Sequence, residues 1–300
     1  MVSRIPCAAC ICALAVTLLA AAAPSAAAAE RAANGPGRVV AIGGAVTEII
    51  HALGRLDTVV AVDSTSTYPD AADELPDVGY MRQLSAEPII ALAPDLVIAA
   101  ADAGPPVVLE QLREAGIAVT RVPGEPSPDG VVDKITAVAD ALGVPERGHR
   151  LGRRVADRIA AVRERVEATE ARPRVLTLIA AGPGNLMAAG RETSAEAIVR
   201  LAGGRNAVQA YSGFRPLSAE AVITAAPEWI LLTEAALDSL GGSDGLRQRP
   251  GLGNTPAARS GRIIAMDGLL MLGFGPRTPQ AAAELARALH PDLPAETRDR

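Results

Sequence analysis

The chain has 300 residues, of which 49% are hydrophobic and 21% charged, with a mean hydropathy of +0.22. This apolar content is ample for two cores of ordinary domain size and excludes an intrinsically disordered protein. The formal net charge of −5 argues against a nucleic-acid-binding protein, which would need cationic groups to neutralise phosphates.

The first thirty residues are typical of an export signal. Arg4 supplies the positive charge, residues 8–23 form an almost unbroken apolar run, and residues 27–29 offer a small-residue cleavage site. We therefore expect residues 1–29 to be a signal peptide. No second apolar run reaches the roughly 20 residues that a membrane-spanning helix needs, so the mature protein is expected to be exported and freely soluble.

All three cysteines, Cys7, Cys10 and Cys12, lie in this signal. The mature chain is therefore expected to use no disulfide, iron–sulfur cluster or thiol chemistry.

Strands and helices alternate in the first half of the mature chain. Predicted strands lie at residues 38–42, 58–62, 96–99 and 118–122, and predicted helices at residues 47–53, 107–115 and 129–142. This alternation predicts a mostly parallel sheet that is covered by helices on both faces.

A twelve-residue phrase occurs twice, as LSAEPIIALAPD at residues 84–95 and as LSAEAVITAAPE at residues 217–228. Each copy predicts a serine cap, a short helix, a proline that ends it and a buried strand. The second copy begins 133 residues after the first, which is too long a period for a solenoid repeat. The duplication predicts two similar α/β lobes with a cleft between them.

The second lobe is expected to begin with a strand at residues 174–178 and to close with a strand at 263–266 and a helix at 278–289. Between the lobes, apolar residues recur every three or four positions among charged ones over residues 145–171. This pattern predicts one amphipathic helix of about 25 residues, on the order of 37 Å long. The alternative is an ordinary surface helix within one lobe.

A single connecting helix would act as a stiff strut, so we expect the lobes to move little. The predicted division is a first lobe over residues 30–144, a connecting helix over 145–172 and a second lobe over 173–300.

Five further motifs define a family resemblance: DSTSTYP (63–69), LPDVGYMRQL (75–84), AAGRET (188–193), LAGGRNA (201–207) and GFGPRT (273–278). With these motifs in this order, the chain resembles the exported solute-binding proteins of ABC importers for cobalamin, siderophores and haem. Within that family it is most similar to the haemin-binding receptors of Gram-negative bacteria. The resemblance implies two Rossmann-like lobes joined by one backbone helix. It also implies a monomer in the periplasm that delivers haem to an ABC permease dimer.

Tyr80 is the residue on which the haem interpretation depends. It follows the turn-forming run at residues 76–79 and precedes the predicted helix cap at Ser85, so a loop should present its ring. A phenolate is a hard anionic ligand suited to ferric iron. Because a tyrosine is ordinarily neutral near pH 7, a nearby cation must favour the phenolate, and Arg82 supplies that charge or pairs with a haem propionate. The alternative is a loop tyrosine packed against Pro76, with the arginine in solvent.

The second lobe should contribute a loop at residues 180–187, after its first strand, because ligands bind at the carboxyl ends of parallel strands. Further cleft candidates, ranked below Tyr80 and Arg82, are Met187, Arg191, Tyr211, Arg215 and Arg277. Some relatives place a histidine in this loop, but this chain does not. The mature histidines, His51, His149 and His290, are expected to be structural or solvated.

Glu87 and Glu220 occupy equivalent positions in the duplicated phrase. An acidic residue in the first turn of a helix is stabilised by the helix dipole, which explains either residue without a function. The resemblance implies a second role, in which one exposed glutamate per lobe docks onto basic residues of the permease.

Other function classes are disfavoured. An enzyme would need a catalytic constellation, and the sequence contains no HExxH, GxSxG, P-loop or histidine cluster. Cobalamin or a ferric siderophore remains the alternative ligand within the family. A structural envelope protein would have no use for a cleft with a loop-borne Tyr–Arg pair.

Overall fold

The computed structural model describes residues 35–182 and 185–293. The expected signal peptide and all three cysteines therefore lie outside the described residues. Within the described ranges, no helix is long and apolar enough to cross a membrane.

The first lobe contains a four-stranded parallel sheet in the order β2-β1-β3-β4, as the alternating pattern predicts. Its strands are β1 (Val39–Ile42), β2 (Val59–Val62), β3 (Leu96–Ala99) and β4 (Ala118–Arg121). Its helices are α1 (Gly44–Ala52), α2 (Ala86–Ala91), α3 (Pro106–Glu114) and α4 (Pro128–Ala141), with single helical turns at Leu56–Thr58 and Asp70–Ala72. β1 and β3 are buried along their whole length, because helices cover both faces of the sheet.

The second lobe contains a six-stranded mixed sheet, β10-β9-β5-β6-β8, with β7 also paired to β5. Its strands are β5 (Arg174–Ala180), β6 (Leu186–Ala189), β7 (Arg205–Asn206), β8 (Phe214–Pro216), β9 (Trp229–Thr233) and β10 (Ile263–Met266). Its helices are α6 (Ser194–Leu201), α7 (Ala219–Ala225), α8 (Glu234–Ser239), α9 (Gly242–Gln248), α10 (Pro256–Arg259), α11 (Gly268–Leu272) and α12 (Thr278–Leu289). Pairs among β5, β7, β9 and β10 are parallel, whereas β6 pairs antiparallel with both β5 and β8.

The antiparallel extension corrects one expectation. Residues 180–187 were expected to form a single loop, but Ala180 ends β5 and Met187 lies within β6, opposite Ile179. The backbone N–H of Ala181 donates to the carbonyl of Asn185 at 2.8 Å, next to the paired ends of the two strands. Met187 is therefore a half-buried strand residue rather than a loop residue.

The long helix expected from the apolar periodicity is present as α5 (Pro145–Glu167). Its buried face contains the apolar residues at the expected spacing, namely Leu151, Val155, Ile159, Val162 and Val166. The helix ends at Glu167 instead of continuing to residue 171. The hydroxyl of Thr169 donates to the carbonyl of Val166 at 2.8 Å, which satisfies an acceptor of the last turn.

One apolar core passes from the first lobe into the second. The core contains buried residues of α1, α4, α5, α6 and α12, including Ile49, Ile135, Ile159, Ile198 and Leu285. α5 packs against α4 of the first lobe and against α12 of the second. Any rotation of one lobe against the other must therefore disturb packed side chains, which supports the expectation of small lobe movements.

Two buried polar contacts also join the lobes. Glu48 of α1 is 3% exposed, and its carboxylate accepts the backbone N–H of Arg277 at 2.8 Å and lies 3.1 Å from Nη2 of the same residue. Lys134 of α4 is 7% exposed, and its Nζ donates to the carbonyls of Gly273 and Phe274 at 3.0 and 3.1 Å. Lys134 is also the only lysine in the sequence.

Burial lowers the pKa of Lys134 from 10.5 to about 8, although the charges of Asp102 and Glu48 oppose the shift. Between these two values the unfolded chain holds more protons on this amine than the folded chain does. The free energy of unfolding therefore rises with pH in that window.

We expect this rise to disappear in Lys134→Met, which keeps an unbranched apolar side chain without the charge. Relative to the variant, the wild type should gain about 2 kcal/mol of stability between about pH 7.5 and about pH 10. Urea titrations followed by the fluorescence of Trp229, the only tryptophan, measure this difference. Equal pH dependence in the two proteins would contradict it.

Candidate functional site

The loop between β2 and α2 presents Tyr80 to solvent. Val78 and Met81 on either side are 8% and 7% exposed, whereas Tyr80 is 39% exposed. Before the tyrosine, Asp77 Oδ1 accepts the N–H of Gly79 at 2.7 Å, and Gly79 has a φ of +95° that favours glycine. The ring of Tyr80 thus projects from a loop whose neighbouring residues are anchored in the core.

Arg82 contacts the phenol oxygen directly. Its Nη1 donates to Tyr80 Oη at 2.5 Å, and its guanidinium carbon lies 5.8 Å from the centre of the tyrosine ring. The structure therefore places these two predicted site residues together, with the cation at the oxygen atom rather than over the ring face.

Asp102 completes this arrangement, and sequence reasoning missed it. Its carboxylate pairs with Nη2 of Arg82, so the arginine bridges the tyrosine and the aspartate. Burial lowers the pKa of Arg82, but the hydrogen bonds to Tyr80 and Asp102 raise it by more, so the net direction is upward. One signal could have identified Asp102: it follows the carboxyl end of β3, at the edge of the sheet where ligands bind.

The contacts among Tyr80, Arg82 and Asp102 suit the binding of a hard cation by the phenol oxygen. A guanidinium that donates to a phenol oxygen stabilises the phenolate, and a phenolate in a solvent-facing loop can coordinate a hard cation such as ferric iron. The carboxylate of Asp102 offsets part of the positive charge and holds the guanidinium in place. Because both arms of Arg82 are occupied, the arginine is less available to pair with another anion.

In the second lobe, Tyr211 and Arg215 form a separate pair. The hydroxyl of Tyr211 donates to the carbonyl of Ala188 at 3.2 Å, and the guanidinium carbon of Arg215 lies 4.9 Å from the ring centre. Burial raises the pKa of Tyr211, although the charge of Arg215 opposes the shift. Arg215 itself is exposed at the β8 edge of the sheet.

A cavity of about 220 Å³ lies beside this second pair. Its lining includes Tyr211, Arg215 and Leu217. A second cavity, also of about 220 Å³, lies next to it against Asn185 and Arg249. Tyr80 lines neither cavity.

The remaining cleft candidates have different positions. Arg191 is exposed, and its backbone N–H donates to the carbonyl of Tyr211 at 2.8 Å, which places it beside the second pair. Arg277 is engaged between the lobes, because it pairs with Glu48 and its guanidinium carbon lies 3.6 Å from the ring centre of Tyr68. In the described ranges, no hydrogen bond or ion pair joins the Tyr80 pair to the Tyr211 pair.

In the described part of the chain, no hydrogen bond or ring contact joins a histidine to Tyr80. His51 and His149 are exposed, and the ring of His51 meets Tyr68 edge-on at 6.0 Å. His290 is 6% exposed, and burial lowers its pKa. Over residues 35–182 and 185–293, histidine, cysteine, aspartate and glutamate form no group of three that could hold a metal ion.

One protein family matches most of the chain. The model of the family described as "Periplasmic binding protein" matches residues 39–269. Among curated proteins, the vitamin B12-binding protein of Yersinia pestis (strain Pestoides F) is 27% identical over 210 residues, covering 68% of this chain and 72% of that protein.

Solved structures are more similar. The periplasmic heme-binding protein RhuT from Roseiflexus sp. RS-1, in apo form, is 46% identical with a TM-score of 0.81, covering 86% of this chain and 99% of that one. A periplasmic heme-binding protein from Pseudomonas aeruginosa is 35% identical with a TM-score of 0.79, covering 86% and 94% of the two chains.

Gly190 allows Tyr211 to occupy its position. A Cβ atom on Gly190 would lie 2.3 Å from the carbonyl oxygen of Tyr211 and 2.5 Å from its ring. We expect Gly190→Ala to destabilise the protein by about 1–3 kcal/mol, because backbone cannot move aside as a flexible side chain can. Gly37→Ala is the matched control, since its added Cβ would meet only an ordinary contact at 3.6 Å. Urea unfolding at equal midpoints for both variants would contradict the prediction.

Proposed function

Because the chain belongs to the periplasmic binding protein family, we propose that it binds haem between its two lobes and delivers it to the permease of an ABC importer. Members of this family bind a solute and work with such permeases, and they are not enzymes. The similarity to two heme-binding structures at 46% and 35% identity supports haem as the ligand.

The observation that carries the proposal is the contact between Arg82 and the exposed Tyr80. Nη1 of Arg82 lies 2.5 Å from the phenol oxygen, the atom that would coordinate ferric haem iron. We infer that Tyr80 ligates the iron and that Arg82 and Asp102 position the phenol oxygen of Tyr80 for this role. Haem is here the cargo, and the protein supplies the ligand and its electrostatic setting.

The haem propionates need cations other than Arg82, whose two arms are already engaged. We infer that Arg191 and Arg215 serve them, because both are exposed and both lie beside Tyr211. Arg277 contributes indirectly in this scheme, by holding the lobes together through Glu48. Met187 would contact the porphyrin edge from strand β6.

Cobalamin is the second candidate ligand, favoured by the relative that is named a vitamin B12-binding protein. Cobalamin brings its own corrin and nucleotide ligands and needs no anionic oxygen from the protein. A prearranged Tyr–Arg–Asp series would have no purpose for it. A ferric siderophore would likewise arrive with its iron fully chelated.

The permease contacts belong to Glu87 and Glu220 in this proposal. Both side chains are exposed, and each lies in the first turn of its short helix, α2 or α7. One acidic residue per lobe matches a two-fold permease that presents one basic site per subunit. The helix dipole alone would explain acidic residues here, but it would not require both lobes to keep them exposed.

The site of action proposed for the protein is the periplasm. Residues 1–29 would direct export, and a monomer with lobes at residues 30–144 and 173–300, joined through residues 145–172, would act there. The two separate sheets and the single helix α5 between them support this division.

The direct test replaces the iron ligand. We expect Tyr80→Phe to lose the charge-transfer absorption of a high-spin phenolate complex and to bind ferric haem at least tenfold more weakly. Tyr68→Phe is the control, because its ring packs against His51 and Arg277 within the protein. Haemin titrations followed by absorption measure both properties, and an unchanged spectrum and affinity in Tyr80→Phe would refute the haem proposal.

A second test concerns Asp102. Asp102→Asn should leave the charge of Arg82 without its carboxylate, so that the guanidinium pulls more strongly on the phenolate oxygen. We expect the charge-transfer band to move to shorter wavelength while haem remains bound. Stability should change by less than about 1 kcal/mol, because both members of the ion pair are half exposed. Asp73→Asn, an exposed acid earlier in the same loop, should leave the band in place, and an equal band position in all three proteins would exclude the tuning role.

A further inference from the structure

The two copies of the twelve-residue phrase also have the same structure, including a backbone conformation that is rare for residues other than glycine. Ala93 and Ala226 end the short helices α2 and α7, and both have positive φ values, 44° and 41°. Non-glycine residues rarely adopt this conformation, and here the same position adopts it in both lobes.

An arginine clamps each of these helix ends to the first strand of its own sheet. Arg38 donates to the carbonyls of Leu92 and Ala93 at 2.7 and 3.3 Å. Arg174 donates to the carbonyl of Ala226 at 3.1 Å. Each lobe thereby satisfies carbonyls that a helix end leaves without partners and fixes the orientation of its short helix.

An acidic residue also contacts the backbone of each of these two arginines. Asp95 Oδ2 accepts the backbone N–H of Arg38 at 3.1 Å, and Glu228 Oε2 accepts that of Arg174 at 2.8 Å. The two helices are therefore presented by equivalent and rigid supports. Equivalent side chains of α2 and α7 are therefore exposed in the same way in the two lobes.

The outer faces of the two helices are apolar as well as acidic. Large exposed hydrophobic side chains in the described ranges are few: Tyr80, Ile90, Val107 and Ile223. Ile90 and Ile223 are equivalent positions of the repeat and are 38% and 63% exposed, while their neighbours Ile89 and Val222 are fully buried. The exposed isoleucines are therefore not needed to fill either core.

Each exposed isoleucine follows its glutamate by three residues, which places the two side chains on the same side of the helix, one turn apart. Among the described residues, neither Glu87 nor Glu220 has a hydrogen-bonded or ion-paired side-chain partner. We define the docking patches as Glu87 with Ile90 and Glu220 with Ile223. Both patches combine an unpaired anion with an uncovered apolar group.

We propose that Ile90 and Ile223 are permease-docking residues, and that the partner is a two-fold permease dimer that presents a basic side chain beside an apolar surface in each subunit. This inference rests on the proposed delivery function and adds the apolar half of the recognition. The duplication supports a two-fold partner, and the free carboxylates are complementary to a basic one.

The two residue types have different physical roles. Exposed charges act mainly on the rate of association and make it salt-dependent, whereas buried apolar contacts mainly slow dissociation. The glutamates would therefore steer the protein to the permease, and the isoleucines would hold it there. A patch of glutamates alone would give docking that disappears at high salt.

The experiment measures binding of the haem-loaded protein to the permease of the same organism's haem importer, held in phosphatidylcholine nanodiscs. The test variant is Ile90→Ser with Ile223→Ser. The matched control is Val107→Ser, which removes a side chain that is 54% exposed on α3, outside the repeated phrase. We expect the double variant to bind about tenfold more weakly through faster dissociation, with unchanged haem affinity and unchanged salt dependence.

A third variant distinguishes a failure of the isoleucine inference from a failure of the proposed delivery function. Glu87→Lys with Glu220→Lys should slow association and reverse its salt dependence, because attraction to the basic sites becomes repulsion. If this variant is impaired while the double isoleucine variant binds like the wild type, the isoleucine inference is overturned and the delivery function stands. If the wild type does not bind the permease at all, the delivery function itself fails.

Two other binding partners for Ile90 and Ile223, a second copy of the protein and lipid, would give different results. Concentration-dependent dimerisation of the wild type in sedimentation, lost in the double isoleucine variant, would assign the patches to self-association and overturn the inference. Equal binding to nanodiscs without permease would assign them to lipid and overturn it as well. Loss of permease binding by Val107→Ser to the same degree would show that the effect is not specific to the docking patches, and would overturn the inference.

Discussion

A continuous apolar core around α5 joins the two lobes. It places the inner helices of both lobes in one packed body, so that a change in lobe orientation has to move close-packed side chains. The Glu48–Arg277 and Lys134 contacts lie across the same junction. We therefore expect a ligand to meet two surfaces whose separation is largely preset, and we expect the two proposed docking patches to keep their spacing when ligand binds. A fixed spacing is what a two-fold partner can recognise.

Within that frame, the distribution of positive charge assigns the arginines to different tasks. Both arms of Arg82 are engaged, by Tyr80 and by Asp102, so this guanidinium is not free for a new anion. Arg277 lies between Glu48 and Tyr68, inside the junction of the lobes. Arg215 retains an exposed guanidinium. The division follows from geometry: an arginine with both arms engaged positions a neighbour, and an exposed one can receive the carboxylates of a ligand.

Sequence patterns predicted the features that depend on periodicity and repetition: the parallel sheet, helix α5 and the two-lobe architecture of the family. Side-chain partners at long sequence separation were beyond such patterns. Asp102 lies 20 residues from Arg82 in the chain, and Lys134 contacts carbonyls 139 and 140 positions away. Met187 was misplaced because a short run of apolar residues after a strand is equally compatible with a loop and with an antiparallel return. The motif at residues 273–278 signalled the family, yet its residues hold the lobes together.

Resonance Raman spectroscopy of the haem-loaded protein would show whether Tyr80 is the iron ligand. If Tyr80 binds the iron, the spectrum should contain an iron–phenolate stretching mode that shifts when the protein contains isotope-labelled tyrosine. The mode should persist in the variant Tyr68→Phe with Tyr211→Phe, where Tyr80 is the sole remaining tyrosine. Absence of the mode in the loaded wild type, or its loss in that double variant, would contradict the account.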